Sequence, residues 1–141
     1  CNAESVDNVA AVWYIEPCVE LEREAGAAGS GQVFVKLRNK RLMDDAAKYT
    51  YLRFVEGAER RVDLKGGGGG WCWFEMIYCP EIMQDGGKIH YFRFYSPKFR
   101  RYLMADYANN AVQIHERSIG ADDVREKTRF KVHGRVVYEM F

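Results

Sequence analysis

The chain has 141 residues, enough for one domain with a proper core and too few for two independent ones. Its 48% hydrophobic and 29% charged residues lie in the globular range and exclude a disordered or fibrous chain, and no apolar run approaches the roughly twenty residues that a helix needs to cross a bilayer. Lysine and arginine number 21 against 20 aspartates and glutamates, so a net charge of +1 gives no general attraction to nucleic acid or an anionic membrane, and any basic site must be local.

Short runs rich in Val, Phe, Tyr, Trp and Ile recur between turn residues, which predicts many short strands. In chain order they cover residues 9–16, 19–24, 32–38, 41–45, 50–56, 61–65 and 71–78, then 89–96, 101–106, 111–117, 128–133 and 135–140. Residues 25–31, the glycine run 66–70, residues 84–88 and Asn109–Asn110 read as loops. Residues 121–127 have a helical look but are too few for more than a turn. The glycine run lacks the lysine ending of a phosphate loop and has no helix behind it, so it is read as a connection, either a natural flexible spacer or a replacement for a longer loop.

An internal repeat organises these strands. Residues 41–45 overlay on 102–106, Tyr51-Leu52-Arg53-Phe54 on residues 111–114, and Cys72–Met76 on Thr128–Val132. Each copy reads strand, strand, strand, loop, strand. Three such four-strand units, about twelve short strands around one core, make an all-β chain of the β-trefoil kind, in a single domain over residues 1–141. The units span residues 1–31 with 135–141, 32–79, and 80–134, the C-terminal strand completing the first or else standing apart from it. The overlay pairs Phe74 with Phe130 and Met76 with Val132, and with Leu103 these are the predicted core.

The segment from Phe94 to His133, with Phe94 and Ser96 before a loop, the aromatic Phe99, the strand Tyr102-Leu103-Met104-Ala105, and Phe130 with Val132, resembles the last unit of the interleukin-1 family, interleukin-18-like members above all. The same strand is similar to fascin-type, fibroblast-growth-factor-type and amaranth-lectin-type trefoils. The resemblance implies a β-trefoil that acts as a secreted, cytokine-like ligand of a cell-surface receptor, with no enzymatic activity and no cofactor. Two departures stand out: the part before the second unit is short for such a cytokine, and the chain runs on after His133. The first residues carry no signal core and say nothing of the compartment; the resemblance implies an extracellular location, with or without a leader, and a cytoplasmic one stays open.

Alternation over residues 71–78 places Cys72, Phe74, Met76 and Tyr78 toward the core and Trp71 and Trp73 outward or under a loop, where an indole makes a strong contact surface. Arg93, Lys98, Arg100 and Arg101 make one basic cluster, and Arg53, Arg60 and Arg61 another; guanidinium forks of this kind suit an acidic receptor patch or a sulfated glycan. The competing reading is a carbohydrate-binding trefoil in which Trp73 stacks on a sugar and Asp106, Asn109 and Asn110 orient it; a fascin-like intracellular module is a third. Catalysis is not expected. His90, His115 and His133 are scattered, and Asp44-Asp45 and Asp122-Asp123 are adjacent residues that alternation turns to opposite faces. Cys1, Cys18, Cys72 and Cys79 lack metal-ligand spacing, so no metal site is expected, and Cys72 and Cys79 can bond only if the chain folds back sharply between them. The expected partner is a receptor protein or, alternatively, a glycan, bound by a monomer with no nucleic acid and no membrane insertion.

Overall fold

A computed structural model describes residues 13–20, 31–57, 60–106, 110–120 and 122–131. These residues are mostly antiparallel β-structure. The strands are β1 (Trp13–Pro17), β2 (Phe34–Asn39), β3 (Tyr51–Phe54), β4 (Val62–Gly66), β5 (Phe74–Tyr78), β6 (Glu81–Ile82), β7 (Lys88–Ile89), β8 (Tyr91–Ser96), β9 (Arg101–Asp106), β10 (Asn110–His115) and β11 (Phe130–Lys131). One sheet runs β10-β9-β8-β5-β2-β3-β4, with β1 also paired to β2 and β11 to β8, while β6 and β7 form a separate hairpin.

One pairing scheme occurs twice. β2 carries β1 along one edge; its other edge meets β5 at Val35 and Phe74 and β3 at Arg38 and Tyr51, and β3 turns back into β4. β8 carries β5 along one edge; its other edge meets β11 at Phe92 and Phe130 and β9 at Tyr95 and Tyr102, and β9 turns back into β10. The correspondence reaches single hydrogen bonds. Cys18 N–H donates to the Phe34 carbonyl and Cys79 N–H to the Tyr91 carbonyl, each at 2.8 Å. Buried Asn39 accepts from Leu42 N–H at 3.1 Å, and buried Ser96 accepts from Phe99 N–H at 3.2 Å. Each of these side chains closes the turn that leads out of its strand.

The core follows the same scheme. Leu37 and Phe94 hold equivalent places on β2 and β8, Leu52 and Leu103 on β3 and β9, and all four are buried with Val35, Phe54 and Phe74. Phe54 and Phe74 meet edge to face with ring centroids 5.0 Å apart, and burying each ring contributes about 1.5–3 kcal/mol. Met76 and Phe130 pack against this cluster; Val132 lies outside the described residues.

The two end strands of the sheet order, β4 and β10, share no ladder, yet they meet. Arg61, just before β4, bridges to Val112 on β10. Next to it Gln113, 1% exposed, spends its whole amide on the contact. Its Nε2 donates to the Val55 carbonyl at 2.9 Å and the Arg61 carbonyl at 2.7 Å, its Oε1 accepts from Arg101 at 3.2 Å, and its backbone N–H donates to the Arg60 carbonyl at 3.0 Å. A side chain supplies there the hydrogen bonds that a strand ladder supplies elsewhere.

Several strand expectations are corrected. Of residues 41–45 the first four belong to a helix, Lys40–Asp44, and Asp45 ends it, because the Asn39 carboxamide caps its first turn and Lys40 bonds Asp44 one turn on. The overlay of residues 41–45 on 102–106 therefore fails, as does that of Tyr51–Phe54 on 111–114: by pairing, β3 corresponds to β9. Val19 and Glu20 are helical where a strand was expected. The strand expected over 71–78 begins at Phe74, after a 3-10 turn at Gly70–Cys72, and Tyr78, the last residue of β5, is exposed rather than in the core. Residues 111–117 end as a strand at His115 and continue as a 3-10 turn, and of residues 128–133 only Phe130–Lys131 are described as a strand. The helical look near residue 121 is a six-residue helix, Asp122–Lys127. Most of the expected strand 19–24, and residues 132–141 with the proposed closing strand, lie outside the described residues.

Replacing Gln113 by Leu keeps its volume but leaves the Val55 and Arg61 carbonyls and the Arg101 guanidinium without that partner. The expected cost is about 2–4 kcal/mol, read as a lower urea midpoint at unchanged slope. A Gln113→Leu chain as stable as the native one would contradict the role assigned to this amide.

Candidate functional site

The glycine run connects β4 to β5 and frames a pocket of about 240 Å³ lined by Arg53, Gly66, Gly67, Gly69, Gly70, Trp71 and Cys72. Two of its glycines are demanded by geometry. A Cβ on Gly66 would run into the Cys72 sulfur and lie 2.8 Å from the Tyr51 carbonyl oxygen, and Gly68 has a φ of +98° that a side chain rarely tolerates. The loop is thus a fitted turn around a buried thiol. Burial pushes the Cys72 thiol up from its ordinary value, which holds it in its unreactive protonated form.

Both indoles are half-buried. Trp73 packs against buried Cys18 and Phe34 and donates its indole N–H to the Gly68 carbonyl at 3.0 Å. Trp71 stands edge-on to Phe99, centroids 5.8 Å apart, with the Arg53 guanidinium 5.5 Å from its ring. Arg53 is fixed by a two-point bond to Asp63, 2.7 Å from Nε to Oδ1 and 3.1 Å between the second pair. Burial alone would raise the Asp63 carboxyl, but the hydrogen bonds from Arg53 and the Lys65 N–H outweigh it and hold the group below the ordinary aspartate value.

The two expected basic clusters do not form two patches. Arg93 turns to the Thr128 hydroxyl at 3.3 Å, Arg101 to Gln113, and Arg53 to Asp63. Lys98 and Arg100 are exposed in the turn between β8 and β9, Arg100 lying 3.5 Å from Glu116. Arg60 and Arg61 are exposed, and their backbone carbonyls hold Gln113. Of the lectin-type set, Trp73 is turned inward, Asp106 and Asn110 are register partners at the end of the β9–β10 hairpin, and Asn109 lies outside the described residues. Asp44 pairs with Lys40 and Asp45 lies 4.0 Å from Arg41, so this acid pair is engaged along its own helix. Cys72 and Cys79 are free thiols, and no cluster of three or more metal-ligating side chains occurs among the described residues.

One surface escaped the sequence reading. The β6–β7 hairpin carries Ile82, 71% exposed, and Met83, 44% exposed, at its tip, and at its base the exposed Tyr78 hydroxyl lies 2.5 Å from His90 Nδ1 with the two rings stacked. The tip is closed by Met83 N–H on the Gly87 carbonyl and by the Asp85 carboxylate on Gly87 N–H, each at 2.8 Å, with Gly86 at a φ of +88°. The Asp85-Gly86 pair, a strong hairpin signal, was there to be read.

No protein-family model matches the chain, and neither a curated protein nor a solved structure matches it.

Because the folded carboxyl of Asp63 titrates below its unfolded value of 3.8, the stability it contributes is present above that pH and is lost as pH falls through the folded value. Urea unfolding of the native chain and of Asp63→Asn at several pH values is expected to show a deficit in the variant near neutrality that narrows below pH 3.8. A deficit constant with pH would refute the pairing.

Proposed function

We propose that this chain is a non-enzymatic β-trefoil module of the interleukin-1-like kind, a secreted ligand that docks a cell-surface receptor protein. The trefoil reading is supported by the twice-repeated pairing scheme, in which β2 to β5 and then β8 to β11 with β9 and β10 form equivalent four-strand sets, and β1 stands to β2 as β5 stands to β8. On a rigid sheet of that kind the contacts come from displayed loops and hairpins.

The observation that favours a protein partner is the β6–β7 hairpin. It stands off the main sheet as its own two-stranded unit and presents an aliphatic and a thioether side chain to solvent. Flexible methionine and exposed aliphatic carbon fit an apolar protein pocket, with the flanking Glu81, Asp85 and Lys88 as a polar rim. A sugar site calls instead for an open aromatic face with free polar groups beside it. Trp73, the ring assigned to that role, is packed against Cys18 and Phe34 and spends its N–H on Gly68.

The double substitution Ile82→Asp with Met83→Asp tests this reading. Saturable binding of labelled protein to receptor-bearing cells is expected to weaken at least about tenfold, while thermal stability stays near the native value because both side chains already face water. Unchanged binding, or binding abolished by free sugar at millimolar concentration, would overturn it in favour of another surface or of the glycan reading.

A further inference from the structure

The pairing of β11 with β8 gathers cations on one face. Phe130 stands opposite Phe92 and Lys131 opposite Tyr91, so Arg129, one residue earlier, falls opposite Arg93. Alternation then turns Tyr91, Arg93, Arg129 and Lys131 to the same side, with Cys79 just past the end of β5, where its N–H donates to the Tyr91 carbonyl. The Arg129 guanidinium lies 4.3 Å from the Tyr91 ring centroid and the Lys131 ammonium 5.7 Å from the same point. Burial raises the Cys79 thiol, while the charges of Arg93 and Arg129 act on it in the opposite sense.

Three cations so close repel one another, and the described contacts do little to relieve them. The carboxylate in contact with the group is Glu81, 3.5 Å from Arg129, with its side chain 46% exposed and therefore well screened. Arg93 bonds a neutral hydroxyl. The Nε of Arg129 is buried and has no hydrogen-bond partner. A charged donor left unpaired in a buried position marks a missing acceptor. Lys131 is exposed, so the group is open to solvent on its side.

We propose that Arg93, Arg129 and Lys131 form a binding site for a tetrahedral oxyanion, a sulfate or phosphate ester group seated beside Tyr91. A carboxylate is satisfied by a single guanidinium fork, whereas donors from three side chains match the three free oxygens of such an ester. The bound anion neutralises the cluster. This site adjoins the β6–β7 hairpin through Glu81 but does not depend on the receptor reading.

The test is thermal unfolding of the full chain at matched ionic strength in sodium chloride, sodium sulfate and sodium phosphate, and with a heparin-derived hexasaccharide or inositol hexakisphosphate. At least one oxyanion probe is expected to raise the melting temperature saturably. The hexasaccharide acting at lower concentration identifies a sulfate ester as the source, and inositol hexakisphosphate a phosphate ester. Lys131→Gln, at an exposed position, keeps the fold and is expected to raise the half-saturating concentration at least about tenfold, with Arg129→Gln acting alike. General stabilisation by sulfate is not saturable and is the same in every variant. No saturable shift with any probe, or an equal saturable shift in the native chain and in Lys131→Gln, would overturn the proposal.

Discussion

Gln113 joins what the strand ladders leave apart. β4 and β10 stand at opposite ends of the sheet order, and the contact between them rests on one backbone bridge and one buried carboxamide whose two donors and one acceptor are all used. An apolar residue there would leave two carbonyls without that donor. The amide therefore decides how closely the β3–β4 hairpin approaches the β9–β10 hairpin. Through Arg60, Arg61 and Arg101 it also places three of the basic side chains assigned to binding. Arg60 and Arg61 bond Gln113 through their backbone carbonyls and Arg101 through its guanidinium.

The repeat was legible in the sequence but its register was not. Phe74 over Phe130 was correct because both begin strands that pair at equivalent places, Val35 with Phe74 and Phe92 with Phe130. The Leu-Met dipeptide at 42–43 and 103–104 drew the rest of the overlay off register. Strand propensity cannot distinguish them, yet Asn39 stands three residues before Leu42, accepts its N–H and starts a helix. The better guide was Tyr51-Leu52 against Tyr102-Leu103, whose leucines are both buried and whose tyrosines both pair with the strand before. Asn39 and Ser96, buried polar residues doing one job with different chemistry, show why a residue-by-residue comparison misses such an equivalence.

For the binding surfaces the sequence was a poorer guide. Charge counts list arginines but not what they touch: Arg53 and Arg101 are turned to partners on the next strand of their hairpins, Asp63 and Gln113, and Arg93 to Thr128. Arg129 and Lys131 drew no attention because a cation on a short strand is ordinary; their proximity to Arg93 arises only when β11 docks on β8. The glycine run was read as slack. Gly66 has no room for a Cβ and Gly68 is left-handed, so the segment is a shaped support for Cys72 and Trp73. Composition reported the glycines faithfully, and only the packing against Tyr51 and Cys72 shows what they are for.

The central claim is that the two ends of the sheet are held as one cooperative unit by Gln113. Native-state hydrogen exchange, followed by NMR at individual amides, tests it most directly. The Gln113 backbone amide, bonded to the Arg60 carbonyl, is expected to exchange with the same opening free energy as the amides of Met76 and Asn39, on the strands around the core. An amide at Gln113 that exchanges as readily as Met83 or Gly86 in the β6–β7 hairpin would contradict it, because the two ends of the sheet would then open independently of the core.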